Sequence, residues 1–196
     1  MRPLDLQTVN QVAIDNQLTS ENRQIIECTG FASSSSDNLP IDIKALNAVD
    51  GVHECSSELA ILAAFSLIQQ LRPWLKTPDQ WGATYKRQHE SGYRLLLAFR
   101  DGVPRALAGF RIQENLIHRK FLYVDDLVSD SNMRSAGLGT ALIQELERVA
   151  RHANCDHLVL DTGITNHNAQ RFYKRCGMSA LALRFVSPIV PNNELT

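Results

Sequence analysis

The side chains best suited to acid–base work in this sequence lie close to the glycines best suited to receiving an anion. Arg134-Ser135-Ala136-Gly137-Leu138-Gly139-Thr140 follows the polar run Ser129 to Asn132 and opens a long segment with helical apolar spacing. The first N–H groups of a helix have no internal partner and carry the positive end of its macrodipole, so a helix starting here favours a phosphate. Gly137 and Gly139 remove Cβ atoms that would obstruct a diphosphate, while Arg134 adds a permanent cation able to contact it through two nitrogens. Just upstream, Asp125 and Asp126 stand within Tyr123-Val124-Asp125-Asp126-Leu127-Val128. Downstream, Asn166 and Tyr173 share a short segment that ends at Gly177.

Two glycines one residue apart also describe an ordinary strand-to-helix turn, so the neighbours must decide. A P-loop is excluded because the Gly-Lys-Ser/Thr ending is missing, and a dinucleotide fingerprint because no third glycine stands at the required interval. Neither a metal site nor a disulfide framework is indicated, since Cys28, Cys55, Cys155 and Cys176 are scattered without a CxxC pair or a histidine at ligand spacing.

The segment from Arg134 to Gly139 resembles the Arg/Gln-x-x-Gly-x-Gly/Ala signature of the GNAT superfamily of N-acetyltransferases. Asn166-x-x-Ala169-x-x-Phe172-Tyr173-x-x-x-Gly177-Met178 is similar to that family's second hallmark, with Met178 in place of the more usual Phe. The resemblance covers roughly Val52 to Val186 and implies acetyl-CoA as cosubstrate, its diphosphate gripped by backbone amides of residues 134 to 140. It further implies that Leu127, Val128 and Ser129 lie along the pantetheine arm, and that an amide at Leu127 or Val128 polarises the thioester carbonyl as an oxyanion donor. Asn166 and Ala169 are implied as further cofactor contacts, Asn166 also capping its helix. Tyr173 holds the family's tyrosine position, where it contacts the cofactor and acts as general acid.

An alkylamine is protonated near neutral pH, because a lysine-like group titrates near ~10.4, so a base or a water relay must free its lone pair. The departing CoA thiolate in turn needs a proton. Tyr173 fits the second role, its phenol being protonated at neutral pH; packed as an aromatic it would serve only the core. Asp125 is the leading base, with a plain solvated or salt-bridged Asp as the alternative. Strand alternation puts Asp125 on one face with Leu127, Tyr123 and Phe121, and Asp126 on the other. His118 and Glu114 are further bases acting through an ordered water. His152, His157 and His167 carry no specific signal. Trp74 and Trp81 either line an acceptor site or pack.

Positioning these groups requires a platform and a crossover. A strand at Val52 to Cys55 precedes one amphipathic helix carrying Leu59, Leu62, Ala63, Phe65 and Ile68, and a second helix runs from Pro78 to His89, capped by Thr77. Leu95 to Phe99, Asp101-Gly102 and Arg105 to Ile112 read as a hairpin, which Phe121 to Val128 extends to a three-stranded meander. A long helix from Gly137, a strand at His157 to Leu160, a helix at Asn166 to Arg175 and a final strand at Ala180 to Val186 complete the order β-α-α-β-β-β-α-β-α-β. The fold class is therefore α/β (α+β) and GNAT-like, a mixed, mainly antiparallel sheet flanked by about four helices. Residues 51–190 form the N-acetyltransferase domain. Residues 1–50, with the Ser33 to Ser36 run, are expected to form an N-terminal extension, either with a short helix at Leu4 to Gln17 or as a partly disordered arm.

The 196 residues are 44% hydrophobic and 21% charged, enough for a sizeable core, and the net charge of -1 from 20 basic and 21 acidic residues supplies no field toward nucleic acid or anionic lipid. No apolar run reaches the ~18 residues of a membrane span, and the first residues lack the apolar stretch of a secretory signal, so a cytoplasmic location is expected. The expected partner is a small-molecule amine. A protein or peptide amine is the alternative acceptor, and a non-enzymatic acyl-CoA-binding sensor is the rival from another class. Dimers are common in the family, which makes a homodimer the assembly to look for.

Overall fold

The computed structural model describes residues 48–133 and 136–189, so the expected helix at 4–17, the serine run, Arg134 and Ser135 lie outside the described residues. Strand β1 (Gly51–Glu54) is followed by helices α1 (Glu58–Ala63), α2 (Phe65–Leu71) and α3 (Pro78–Glu90). Strands β2 (Arg94–Arg100), β3 (Val103–Asn115) and β4 (Arg119–Ser129) come next, then α4 (Leu138–His152), β5 (His157–Leu160) and α5 (His167–Arg175). Five α-helices are thus present among the described residues where about four were expected. The difference arises at Ala64, whose ψ of −2° splits the expected single helix into α1 and α2.

Local chemistry accounts for several boundaries. Ser57 caps α1 and Thr77 caps α3 by accepting the amides of Ala60 and Gln80, and Pro78 opens α3 where its missing N–H costs nothing. Asp101 and Gly102 both take positive φ, 54° and 67°, the conformation that makes Asp-Gly a tight hairpin turn between β2 and β3.

The sheet runs β1-β2-β3-β4-β5, antiparallel throughout except for β5, which lies parallel to β4 after the crossover through α4. One core packs α1–α3 against Leu95, Leu97, Phe99 and Leu107; the other packs α4 against Leu96, Ala98, Phe110, Leu122 and Val124 on the opposite face. Period-2 alternation along β2 serves both layers at once, which is why five consecutive positions, Leu95 to Phe99, are buried.

One expected element is not a strand. Residues 180–186 have no regular secondary structure, and Leu181, Leu183 and Phe185 are exposed, Leu181 by 88%. The alternation is genuine strand chemistry, but a strand exists only where another backbone pairs with it, and this segment does not pair with the outer edge of β5. It is fixed at one point, where Arg184 donates to the Tyr123 hydroxyl at 2.5 Å and pairs with Asp161.

Candidate active site

The site is built around an irregularity in β4. Gly109 of β3 pairs with Asp126 and Phe110 with Val124, leaving Asp125 as an extra residue bulged out of the ladder. The bulge resets the alternation, so Asp125 and Asp126 both line a cavity of about 280 Å³ on the α2–α3 side of the sheet. This corrects the expectation that Asp126 points away and that Leu127 shares the face of Asp125. Leu127 instead packs with the α4 core, and Val128 with the α1–α3 core. Arg72, Trp74, Trp81, Tyr93 and Arg111 complete the walls that matter for chemistry.

Each carboxylate has its own guanidinium. Arg72 Nε meets Asp126 Oδ1 at 2.8 Å and a terminal nitrogen of Arg72 reaches the Asp125 carbonyl at 3.0 Å; Arg111 Nε meets Asp125 Oδ2 at 3.0 Å. The Tyr93 hydroxyl donates to Asp126 Oδ2 at 2.9 Å. Burial raises the Asp125 carboxyl above the ordinary carboxylate range, and Arg111 pulls it part of the way back. Burial, then the adjacent Asp126 charge, pushes the Tyr93 phenol well above its usual value, so Tyr93 is a fixed donor at any working pH.

Gly109 makes that donor geometry available. A Cβ on Gly109 would stand 1.8 Å from the Tyr93 hydroxyl, so the ring reaches Asp126 only across a residue without a side chain.

Beyond the bulge, β4 and β5 part company. Their parallel pairing runs from Phe121 with His157 to Val124 with Leu160 and goes no further, leaving residues 125–129 without a strand neighbour on that side among the described residues. The chain then turns through a short 3₁₀ segment (Ser131–Met133) toward α4. Gly137 precedes the first turn of α4 at φ 81°, and among the described residues no side chain caps the helix and a Cβ on Gly137 would meet nothing within 4 Å. Open space beside uncapped amides at a 15-residue helix is what a diphosphate requires.

Gly139 has a different neighbour: a Cβ there would come within 3.1 Å of Phe172 Cζ, so its missing side chain seats α5 against the start of α4. Asn166 caps α5 by accepting the Ala169 amide at 3.1 Å. On the same helix Tyr173 is half-buried beside Phe172, and desolvation pushes its phenol above the ordinary value, with Cys176 adding to the effect.

Comparison with known proteins adds a decisive observation. A family model described as the acetyltransferase (GNAT) family matches residues 61–178, more than half of the sequence. The chain belongs to the GNAT family. It is similar to YdhI of Bacillus subtilis, with 41% identity over 54 residues; the match covers 28% of this chain and the chain spans 34% of that relative's length. It is also similar to the uncharacterized N-acetyltransferase YhdJ of Bacillus subtilis, with 29% identity over 103 residues covering 52% of this chain and 72% of the relative. Among solved structures, AAC(6')-Iy in complex with the bisubstrate analog CoA-S-monomethyl-acetylneamine shares the fold at a TM-score of 0.61 and 16% identity, over 70% or more of each chain (71% and 97%). GNAT membership carries acetyl transfer as the class of chemistry, with acetyl-CoA as the family's acyl donor.

Within this GNAT fold, the residues predicted from sequence fall into separate places. Asp125 lines the cavity, and Leu127, Val128 and Ser129 follow it on the same strand. Ala136, Gly137, Leu138, Gly139 and Thr140 form the entry to α4, while Asn166, Ala169 and Tyr173 belong to α5, joined to that entry through Phe172 and Gly139. No contact links Tyr173 with Asp125 among the described residues. His118 and Glu114 do not line the cavity: His118 faces Phe121 and His157 at the far end of β4, and Glu114 is exposed. Trp81 is both packed and lining, 3% exposed with its indole N–H donated to the Ile61 carbonyl at 2.7 Å, whereas Trp74 stands at the mouth, 54% exposed. Arg72, Tyr93, Arg111 and the glycine notch escaped sequence reasoning, because nothing in their local spacing announces a partner up to 54 residues away. A bulge signal was present only in Gly109, a glycine inside a strand pattern.

Among the described residues no cluster of His, Cys, Asp and Glu is arranged for a metal ion, and no helix is long and apolar enough to cross a membrane.

Proposed function

We propose that this chain transfers an acetyl group from acetyl-CoA directly to the primary amine of a small molecule. The observation that carries the reading is the parting of β4 and β5 immediately beyond the bulge, which sets a half-buried carboxylate beside unpaired backbone on the approach to the α4 N-terminus. The residues present fit the donor. Amides at the start of α4, with Arg134 and Ser135 by resemblance, would hold the diphosphate, and the backbone of Leu127 to Ser129 would lie along the pantetheine arm. Bound there, acetyl-CoA supplies the activated acyl carbon.

The chain's own groups supply the rest. Asp125, as carboxylate, draws a proton from the acceptor ammonium, directly or through one water, so that the lone pair becomes free. The N–H of Leu127 or Val128 donates to the carbonyl oxygen as negative charge grows there. The Tyr173 hydroxyl gives its proton to the departing sulfur, the proton that the nitrogen sheds on becoming an amide restores the phenol through solvent, and Asp125 releases its own proton to water. A cavity of about 280 Å³ suits a compact acceptor better than a folded protein surface.

Thiol release from acetyl-CoA is to be followed against polyamines, aminoglycosides, amino acids, arylalkylamines and lysine-containing peptides. Turnover with a small amine is the expected result. Binding of acetyl-CoA with no turnover on any amine defeats the enzyme reading in favour of a sensor, and turnover on peptides alone transfers the acceptor to the protein class.

A further inference from the structure

The side-chain oxygens lining the cavity are almost all committed to partners within the chain. Asp126 has both oxygens engaged, by Arg72 and by the Tyr93 hydroxyl. The Trp81 indole N–H is held by the Ile61 carbonyl, Gln88 Oε1 receives Arg111, and Thr84 Oγ1 receives Arg87. The exposed lining is about equally polar and apolar, and its apolar part is the ring and aliphatic surface of Ile68, Trp74, Leu75, Trp81 and Tyr93.

Asp125 is the exception. Arg111 engages Oδ2, and Oδ1 has no hydrogen-bond partner among the described residues. In formal charge the cavity walls are balanced, Asp125 and Asp126 against Arg72 and Arg111. A ligand with one ammonium therefore finds one open carboxylate oxygen. A second or third ammonium finds no further open carboxylate oxygen in these walls, and would be desolvated beside two arginines.

We infer that the acceptor is a compact monoamine, one ammonium on an aromatic or apolar body, selected by the single open oxygen of Asp125 amid the surfaces of Trp74, Trp81 and Tyr93. The inference rests on the acetyl-transfer reading and names its substrate class. The ammonium docks on Asp125 Oδ1, the body lies against the indole rings, and the same carboxylate that selects the charge removes the proton before attack. One hydrogen bond thus serves recognition and activation. The exposed Trp74 at the mouth contributes binding surface without touching the reacting atoms.

The test compares initial rates of thiol release for 2-phenylethylamine and tryptamine with those for spermidine at saturating acetyl-CoA, and titrates each amine onto the CoA-bound protein by calorimetry. The arylalkylamines are expected to exceed spermidine in kcat/KM by about tenfold or more, since discrimination arises where one ligand leaves buried polar groups or charges unmatched. Trp74→Ala is expected to raise KM for the arylalkylamines severalfold with kcat nearly unchanged, a split that a merely structural role would not give. Equal or better use of spermidine overturns the inference, as does acetyl-CoA binding with neither a heat of binding nor turnover for either arylalkylamine. Calorimetry with acetyl-CoA alone separates the two levels: no binding there removes the acetyl-transfer reading itself and this inference with it.

Discussion

At the scale of single residues, Asp125 and Tyr173 have environments that suit opposite tasks. Asp125 is desolvated, so its carboxyl holds its proton to higher pH than an ordinary aspartate. As a base it must be ionised, and activity is therefore expected to fall as pH drops through a value above ~3.9, the ordinary aspartate figure. Asp125→Asn is expected to lower kcat by about a hundredfold or more and to abolish that acidic limb; a mutant profile retaining the limb would remove Asp125 from the base role. Tyr173 is pushed the other way from any risk of ionising: its raised phenol stays protonated throughout the neutral range. Tyr173→Phe is expected to reduce kcat by about a hundredfold while acetyl-CoA affinity, measured by calorimetry, changes little. Equal loss in kcat and in affinity would assign Tyr173 to binding.

At the scale of elements, the glycine notch in β3 decides whether the carboxylate wall stands. Gly109→Ala puts a methyl group where the Tyr93 hydroxyl lies, so the ring must withdraw and Asp126 loses a buried donor. The expected cost is about 2–4 kcal/mol in urea unfolding, overpacking and a lost hydrogen bond together. Combining it with Tyr93→Ala should cost less than the sum of the two single changes, since both act on one contact. This dependence also marks the limit of what the sequence discloses. The helix caps at Thr77 and Asn166, the Asp-Gly hairpin and the long amphipathic α4 are local events, and each is legible from residues within a few positions of one another. The bulge is not: it depends on which β3 residue faces which β4 residue, and a shift of one position turned Asp126 from the far face into the cavity. For the same reason Gly139 reads in sequence as room for a ligand, while in the fold its missing Cβ is room for Phe172.

At the scale of the whole molecule, the sheet ends unfinished. Among the described residues β5 is the last strand and its outer edge is unpaired, and the neighbouring segment exposes Leu181, Leu183, Phe185, Val186 and Ile189, each by 68% or more. The final strand was legible as a pattern and absent as a structure, because strand formation belongs to a pair of backbones and never to one. The feature bears on how the protein behaves as a colloid. A bare backbone edge beside an oily ribbon attracts other chains, and the net charge of -1 offers almost no repulsion to keep them apart. Static light scattering should show an apparent mass that climbs with concentration. The triple change Leu181→Ser, Leu183→Ser and Phe185→Ser should weaken that association by about tenfold or more, given the apolar area it removes. An apparent mass that stays flat for the unaltered chain would mean that the ribbon is quiet in solution. A rising one would make shelf life and crystallisability, well before catalysis, the first properties that this segment governs.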